Sequence, residues 1–436
     1  MTNFREKYLK YKFKYLNIQN GGNDLVAGAN SFNIKIENLM ENGVLDLSST
    51  KIGTGPKSIK SVILPKCIIK MEIEIEEFME NGVLDLSSTK ISTNLLSGSK
   101  SIKLVISPDC IMKVEDLMID DVLNLSSTKI TKMSNSFLSG YELIKSIILP
   151  SSIKNIGERF LYESKVETID LSNCVELTEI GELFLAKSTI KTIDLSKCNQ
   201  LININSQFSL ECKCIKSVKL PSSMKKIGDL FLFGSTVETI DLSNCIKLTE
   251  IGENFLENSN IKTIDLSNCI ELTEIASRFL SNCRLITYVK LPRNITKIGE
   301  SFLGLSTKME TIDLSNCINL TEIGNVFANN TQIKKVNLSN CIILNNIGSY
   351  FLSDCKLLEE VVLPSSIMKI GEFFLANSII KTINLENCAN LKPDNISKGF
   401  LQNCKYTKIK YHANLDTFME KYKRSSLLST RTDVKL

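Results

Sequence analysis

The sequence predicts an α/β repeat: a solenoid with a parallel β-sheet on one face and short helical turns or loops on the other. Three observations carry this reading. Nearly the same words recur as KVETIDLSNCVELTEIG (165–181), TVETIDLSNCIKLTEIG (236–252), NIKTIDLSNCIELTEIA (260–276) and KMETIDLSNCINLTEIG (308–324). Aligned on one leucine, the units run from Leu149 through Leu171, Leu195, Leu220, Leu242 and Leu266 to Leu385, spaced by 22 to 25 residues. A unit of that length cannot bury its own apolar face and must stack on its neighbours. Above this period lies another: Leu149-Pro150, Leu220-Pro221, Leu291-Pro292 and Leu363-Pro364 recur every 71, 71 and 72 residues, with two DLSNC-type units between successive pairs.

Within a unit the pattern is apolar-x-x-apolar-x-Leu-x-x-Cys-x-x-Leu, as in Val237, Ile240, Leu242, Cys245 and Leu248. This is the arrangement of a leucine-rich-repeat solenoid, in which a short strand is followed by an arch whose Asn or Cys fills a tight corner. Proline cannot donate to a strand ladder. In every Leu-Pro pair it stands where the chain must leave the sheet. The glycine of TEIG and KKIG, at 157, 181, 228, 252, 299, 324, 348 and 371, follows an inward Ile. It is read as a turn leading into one helical turn that points Phe160, Phe184, Phe231, Phe255, Phe279, Phe302, Phe327, Phe351 and Phe374 into the core. Earlier in the chain ENGVLDLSSTKI at 41–52 returns at 80–91 and continues as DDVLNLSSTKI at 120–130, a shift of 39. The solenoid is therefore expected over 41–412, in about 16–17 units, after a linker or cap at 23–40.

The units KLPSSMKKIGDLFLFGSTVETIDL and VVLPSSIMKIGEFFLANSIIKTINL resemble the BspA-like subclass of leucine-rich repeats. The tail IKYHANLDTFMEKYK resembles the end of such arrays, a last strand and a capping helix, which sets 413–436 as a C-terminal cap and tail. The opening FREKYLKYKFKYLNIQNGG resembles the KYLKYKxKYL lead segment found on proteins of giant, mimivirus-like viruses, matching at Lys7-Tyr8-Leu9-Lys10-Tyr11-Lys12 and Lys14-Tyr15-Leu16. Residues 1–22 are read as a basic aromatic helix with Phe4, Tyr8, Tyr11, Tyr15 and Ile18 on one face. That helix could lie on an anionic membrane, dock to a partner or cover the first repeat. The pair Gly21-Gly22 ends it, and is either a helix breaker or a processing site.

Composition excludes several classes of function. The 436 residues are 43% apolar and 23% charged with a net charge of +4, the balance of a folded chain. No stretch of 18 apolar residues exists to span a bilayer, and the basic start lacks a signal peptide's apolar segment. An intracellular place, in host cytoplasm or a virion, is expected. The fourteen cysteines are then free thiols and not a disulfide framework. Cys174, Cys198, Cys245, Cys269, Cys317, Cys341 and Cys388 each lie three residues after the anchor leucine and should stack along the solenoid roughly 4.8 Å apart where adjacent units both carry one. A second column holds Cys283, Cys355 and Cys404 with Cys212 or Cys214. Metal binding needs thiolates that converge on one point, which columns along a rod do not supply. No metal or cofactor is expected.

With a single histidine, His412, no Ser-His or Cys-His dyad can form in the body of the array, and no phosphate-binding glycine motif appears. The chain is read as no enzyme. The outward strand positions mix signs: Asp170, Asp194, Asp241, Asp265 and Asp313 alternate with Lys219 and Lys290, and a neighbouring column runs Glu167, Lys191, Lys216, Glu238, Lys262, Thr287, Glu310, Lys334. Such columns suit cross-strand charge ladders and not a basic nucleic-acid track. The expected function is a protein–protein interaction scaffold whose partner is a host protein. The candidate concave face is Glu167, Lys191, Asp194, Lys219, Asp241, Asp265, Tyr288, Lys290 and Asp313. A structural or adhesin-like surface component of a virus particle is the alternative.

Overall fold

The computed structural model describes residues 119–404 and 408–422 in full, together with the backbone of further short strands. The chain divides into two units, residues 1–119 with 128–130, and residues 120–127 with 131–436. The second unit is a parallel β solenoid of about twelve turns with little helix.

Each coil makes two strands. The first, such as Thr192–Asp194, lies parallel to Ser217–Lys219 of the next coil, with Asp194 opposite Lys219 and Lys219 in turn opposite Asp241. The second is only two residues, Asn203–Ile204 in the same coil, and pairs in parallel with Lys226–Ile227. In coil 190–212 the residues Ile190, Ile193, Leu195, Cys198, Leu201, Ile204 and Phe208 all point inward and are at most 2% exposed. Burying a side chain of this size contributes about 1.5–3 kcal/mol. The anchor leucines and the corner cysteines are therefore core residues, placed as their spacing requires.

The far side of each coil differs from the helical turn expected there. Around Phe160 the residues Arg159, Leu161 and Glu163 have φ of 55, 52 and 55°, so the backbone alternates between left- and right-handed conformations. Tyr162 N–H donates to Arg159 C=O (3.1 Å) within the coil. Leu161 N–H reaches back to Phe137 C=O (2.9 Å), while Arg159 N–H reaches forward to Glu182 C=O (2.8 Å). Left-handed non-glycine residues cost roughly 1–2 kcal/mol each. Hydrogen bonds to both neighbouring coils offset that cost, and a continuous helix would leave those groups unavailable to the stack. The phenylalanines do enter the core. Phe137, Phe208 and Phe400 join the nine predicted ones, and successive ring centroids lie 4.9–5.9 Å apart.

The glycines after the second strand also have a different cause. An ideal Cβ on Gly181 would lie 2.4 Å from Glu158 N and 2.6 Å from Gly157 C, and one on Gly348 would lie 2.4 Å from Gly324 C. These residues permit coils to touch; they do not supply positive φ. At the C-terminal end Lys408–Tyr411 pairs with Thr382–Leu385, and helix Asp416–Arg424 follows. From that helix Phe418 and Tyr422 meet Phe400 edge-on at 5.6 and 5.7 Å, covering the end of the ring stack.

In the first unit the expectation of parallel coils over 41–118 lies largely outside the described residues, as do the segments 1–22 and 23–40. The strands assigned there pair mostly antiparallel. Met40–Glu41 pairs with Val44–Leu45, Met79–Glu80 with Val83–Asp85, and Leu104–Ser107 with Cys110–Lys113. The two residues separating the first two pairs are Asn42-Gly43 and Asn81-Gly82, the commonest two-residue hairpin connection.

Candidate partner-binding face

The first strands of successive coils present three outward columns. In the first, Glu167, Lys191, Lys216, Glu238 and Lys262 stand in register. Lys191 Nζ lies 2.5 Å from Glu167, Lys216 2.8 Å and Lys262 2.6 Å from Glu238, Lys334 2.7 Å from Glu310, and Lys381 2.7 Å from Glu359. Glu238 accepts from two lysines, Lys216 first, and its carboxyl is held down to about 2. A carboxyl depressed in the folded state adds stability above its unfolded pKa, and that gain is lost as pH falls through the folded value. The titration of Glu238 by carboxyl NMR is therefore expected near pH 2, well below the unfolded range near 4.5, and to move back up in high salt, which screens exposed pairs.

The aspartates do something the sequence reading did not assign. Asp170, Asp194, Asp241, Asp265 and Asp313 each accept the backbone N–H two residues on, at Ser172, Ser196, Ser243, Ser267 and Ser315, over 2.8–3.0 Å. They close the turn that takes the chain out of the sheet. Asn124, Asn337 and Asn384 make the same bond in other coils. The signal is in the sequence, because in the coils without a Leu-Pro pair, from Asn124 to Asn384, this position is Asp or Asn, both able to accept the bond. The hydroxyl and amide of Ser243 hold Asp241 below the ordinary carboxylate range, and Ser315 does so for Asp313. Lys219 Nζ is 3.2 Å from Asp194, and Lys290 stands in register between Asp265 and Asp313. The column is thus largely self-compensating.

Tyr288 interrupts this pattern. It is 45% exposed and opposite Thr263, and it adjoins Thr287, where the first column has neither acid nor base. The pair Glu238–Lys262 ends on one side, and Glu310–Lys334 begins on the other. All nine predicted residues of the concave face lie on the outer surface of these strands or at their heads, spread over many coils. They form a face and not a convergent centre.

The cysteines form two buried columns. In the corner column, Cys174 Sγ donates to Pro150 C=O at 3.8 Å, Cys245 to Pro221 at 3.7 Å and Cys388 to Pro364 at 3.6 Å. The second column contains Cys212, Cys283, Cys355 and Cys404, with Cys212 and not Cys214 as its member; Cys214 is exposed. Burial pushes the corner thiols up to about 11 or 12, so they stay protonated and unreactive. Alkylation of the native protein followed by peptide mass spectrometry is expected to modify Cys214 quickly, and the corner column only after denaturation. Rapid labelling of Cys245 would contradict the corner packing. Among the described residues no three His, Cys, Asp or Glu side chains converge as metal ligands, and no described helix is long and apolar enough to cross a membrane.

Comparison with known proteins decides the family. A model of the BspA-type leucine-rich-repeat region, six copies long, matches residues 72–191, 121–236, 178–308 and 306–427. The chain belongs to the BspA-type leucine-rich-repeat family. Proteins of this family are non-enzymatic repeat scaffolds. A leucine-rich-repeat protein of Bacteroides ovatus is similar at 17% identity, over 77% of this chain and 90% of its own, with a TM-score of 0.35. The pneumococcal vaccine antigen PcpA is similar at 15% identity over 77% and 88%, with a TM-score of 0.37. The functional domain of InlJ from Listeria monocytogenes, described as including a cysteine ladder, is similar at 14% identity over 65% and 69%, with a TM-score of 0.32. No curated protein matches significantly.

Proposed function

We propose that this BspA-type chain is a non-enzymatic scaffold that binds a protein partner on the outer face of its first-strand sheet, centred on Tyr288. The observation that carries the proposal is the coincidence of the face's exposed tyrosine with the break in its ion-pair column at Thr287. Most charges elsewhere on the face are already paired or, as Asp265 and Asp313 are, bonded to their own turn, so a partner gains little by displacing them. A half-exposed tyrosine among threonines offers apolar contact and a hydroxyl with little rotamer entropy to lose, which is why tyrosine is enriched at the centres of interfaces. The partner fitting this reading is a host-cell protein. The test is affinity capture from host lysate with the full chain, compared with Tyr288→Ala and with a variant carrying Glu167→Lys and Lys191→Glu. Loss of one specific protein with Tyr288→Ala supports the reading. Equal recovery from all three would show that this face does not bind.

A second reading follows from the lead segment at Lys7–Leu16: a surface component of a virus particle. Proteomics of purified particles separates the two. Abundance in the particle favours this reading, and absence together with a Tyr288-dependent host partner favours the first.

A further inference from the structure

The solenoid is not uniform along its length. The Leu-Pro strands Ser146–Ile148, Ser217–Lys219 and Glu360–Val362 pair with both neighbours, and Tyr288–Lys290 pairs with Thr263–Asp265 and bridges through Lys290 to Asp313. The two DLSNC strands that follow one another share no ladder, and at their heads one backbone bond crosses each seam, Lys191 N–H to Glu167 C=O (3.0 Å) and Lys262 N–H to Glu238 C=O (3.2 Å). No ladder links Thr168–Asp170 to Thr192–Asp194, or Thr239–Asp241 to Thr263–Asp265. The second-strand sheet stops at the same two places, between Glu179–Ile180 and Asn203–Ile204 and between Glu250–Ile251 and Glu274–Ile275. Side-chain positions agree. Ile169 and Ile240, on the near side of these seams, are half-buried, whereas Ile193 and Ile264 beyond them are 1% exposed. The thiol–carbonyl contacts that cross the seams are also the longest of the corner column, 4.0 Å for Cys198 and 3.9 Å for Cys269.

The third boundary of the same kind is closed and shows the cause. There Glu322–Ile323 pairs with Asn346–Ile347, Thr311 bridges to Lys335, Ile312 is 8% exposed, and Cys341 lies 3.7 Å from Leu314 C=O. Two residues distinguish it. At the open seams two carboxylates face each other, Asp170 with Asp194 and Asp241 with Asp265; at the closed one Asp313 faces Asn337. Like charges opposite each other on adjacent strands push those strands apart. At the glycine position the open seams have Asn205 and Ala276, whereas the closed one has Gly348. A Cβ at such a position falls within 3 Å of the preceding coil's backbone, as it would at Gly348, so residues with a Cβ hold the second strands apart.

We propose that the array is a chain of rigid blocks hinged at these two seams, the middle block holding the three coils of Thr192–Asp194, Ser217–Lys219 and Thr239–Asp241, with the phenylalanine stack as the pivot. The stack runs through both without a gap, at 5.1 Å between Phe184 and Phe208 and 4.9 Å between Phe255 and Phe279. Backbone bonds beside it also persist, with Ser209 N–H donating to Phe184 C=O at 2.8 Å and Leu280 N–H to Phe255 C=O at 3.0 Å. At the strand heads the ion pairs Glu167–Lys191 and Glu238–Lys262 clasp each seam. Bending there changes the spacing of the outer face without breaking a strand ladder, which is the property of a hinge between rigid bodies.

Hydrogen exchange of the full chain, read by mass spectrometry, tests this. Peptides covering 192–204 and 263–275 should exchange at least about tenfold faster than those covering 217–227 and 335–347. Equal protection of all four would overturn the hinge. The variant Asp265→Asn with Ala276→Gly copies the closed boundary at the second seam. Exchange in 263–275 should then slow to the level of 335–347, while 192–204 in the same molecule stays fast. A folded variant whose 263–275 exchange is unchanged would show that these residues do not set the seam. The reciprocal Gly348→Ala should speed exchange in 335–347, and unchanged protection there would overturn the role given to the glycine.

Discussion

Phe255→Ala is expected to destabilise the solenoid by about 3–5 kcal/mol, the cost of removing a large buried ring where the surroundings cannot collapse. The ring is fully buried and stacked on Phe231 at 5.4 Å and Phe279 at 4.9 Å. The coil of Phe255 is laddered to the one before it and the coil of Phe279 to the one after it, so the neighbouring rings stay anchored and the space is left unfilled. Phe400→Ala should cost less, because Phe400 ends the stack and meets Phe418 and Tyr422 on a helix that can settle onto the gap. Urea unfolding with circular dichroism measures both. In a linear array stability is a sum over coils and their interfaces, so an interior defect also uncouples the halves. The Phe255→Ala transition should therefore broaden, with a lower apparent slope, whereas that of Phe400→Ala should shift without broadening. Equal effects of the two variants would mean the rings do not act as one stack.

The parts of the fold legible in the sequence are those where a residue type is repeated for one physical reason. Leu171, Leu195 and Leu242 announce themselves because an inward position in a stacked coil accepts little else, and Cys174 and Cys198 because the corner is small and apolar. The second strand was hidden because two residues, such as Glu179–Ile180, are too few to show alternation. Phe208 is harder to read because NINSQF departs from both the TEIG and the TEIA form of the segment, with Asn205 where most coils have glycine, and that replacement coincides with a seam. The helical turn was a wrong inference from F-L-x spacing. Leucine carries no signal of positive φ, yet Leu185, Leu256 and Leu280 all adopt it because hydrogen bonds to neighbouring coils require it. In the candidate face the charge ladder is readable from alternating signs, whereas the aspartates' bonds to Ser172 and Ser243 are masked by that same alternation. Their acidity reads as surface charge, whereas the property the turn uses is the acceptor oxygen.

Gly181→Ala is expected to lower stability by at least about 1–3 kcal/mol, the usual cost of overpacking a close contact. The sign is what makes the variant informative. At a position whose backbone an L-residue can adopt, Gly→Ala normally stabilises by about 0.4–1 kcal/mol, because the unfolded chain loses freedom. Gly181 is such a position, since its φ lies outside the left-handed region. Its obstacle is steric: the new methyl would sit 2.4–2.8 Å from the N and Cα of Glu158 and the C of Gly157, all backbone atoms that cannot rotate away. Relief requires the two coils to part, which would stretch the pairing of Asn155–Ile156 with Glu179–Ile180. Thermal melts of Gly181→Ala beside Gly140→Ala separate the two roles of glycine. Gly140 has open space around it but a φ of +66°, so its variant should lose only the modest cost of a strained turn. If Gly181→Ala instead raised the melting temperature, coil spacing would have to be set elsewhere, and Asn205 and Ala276 could no longer account for the open seams.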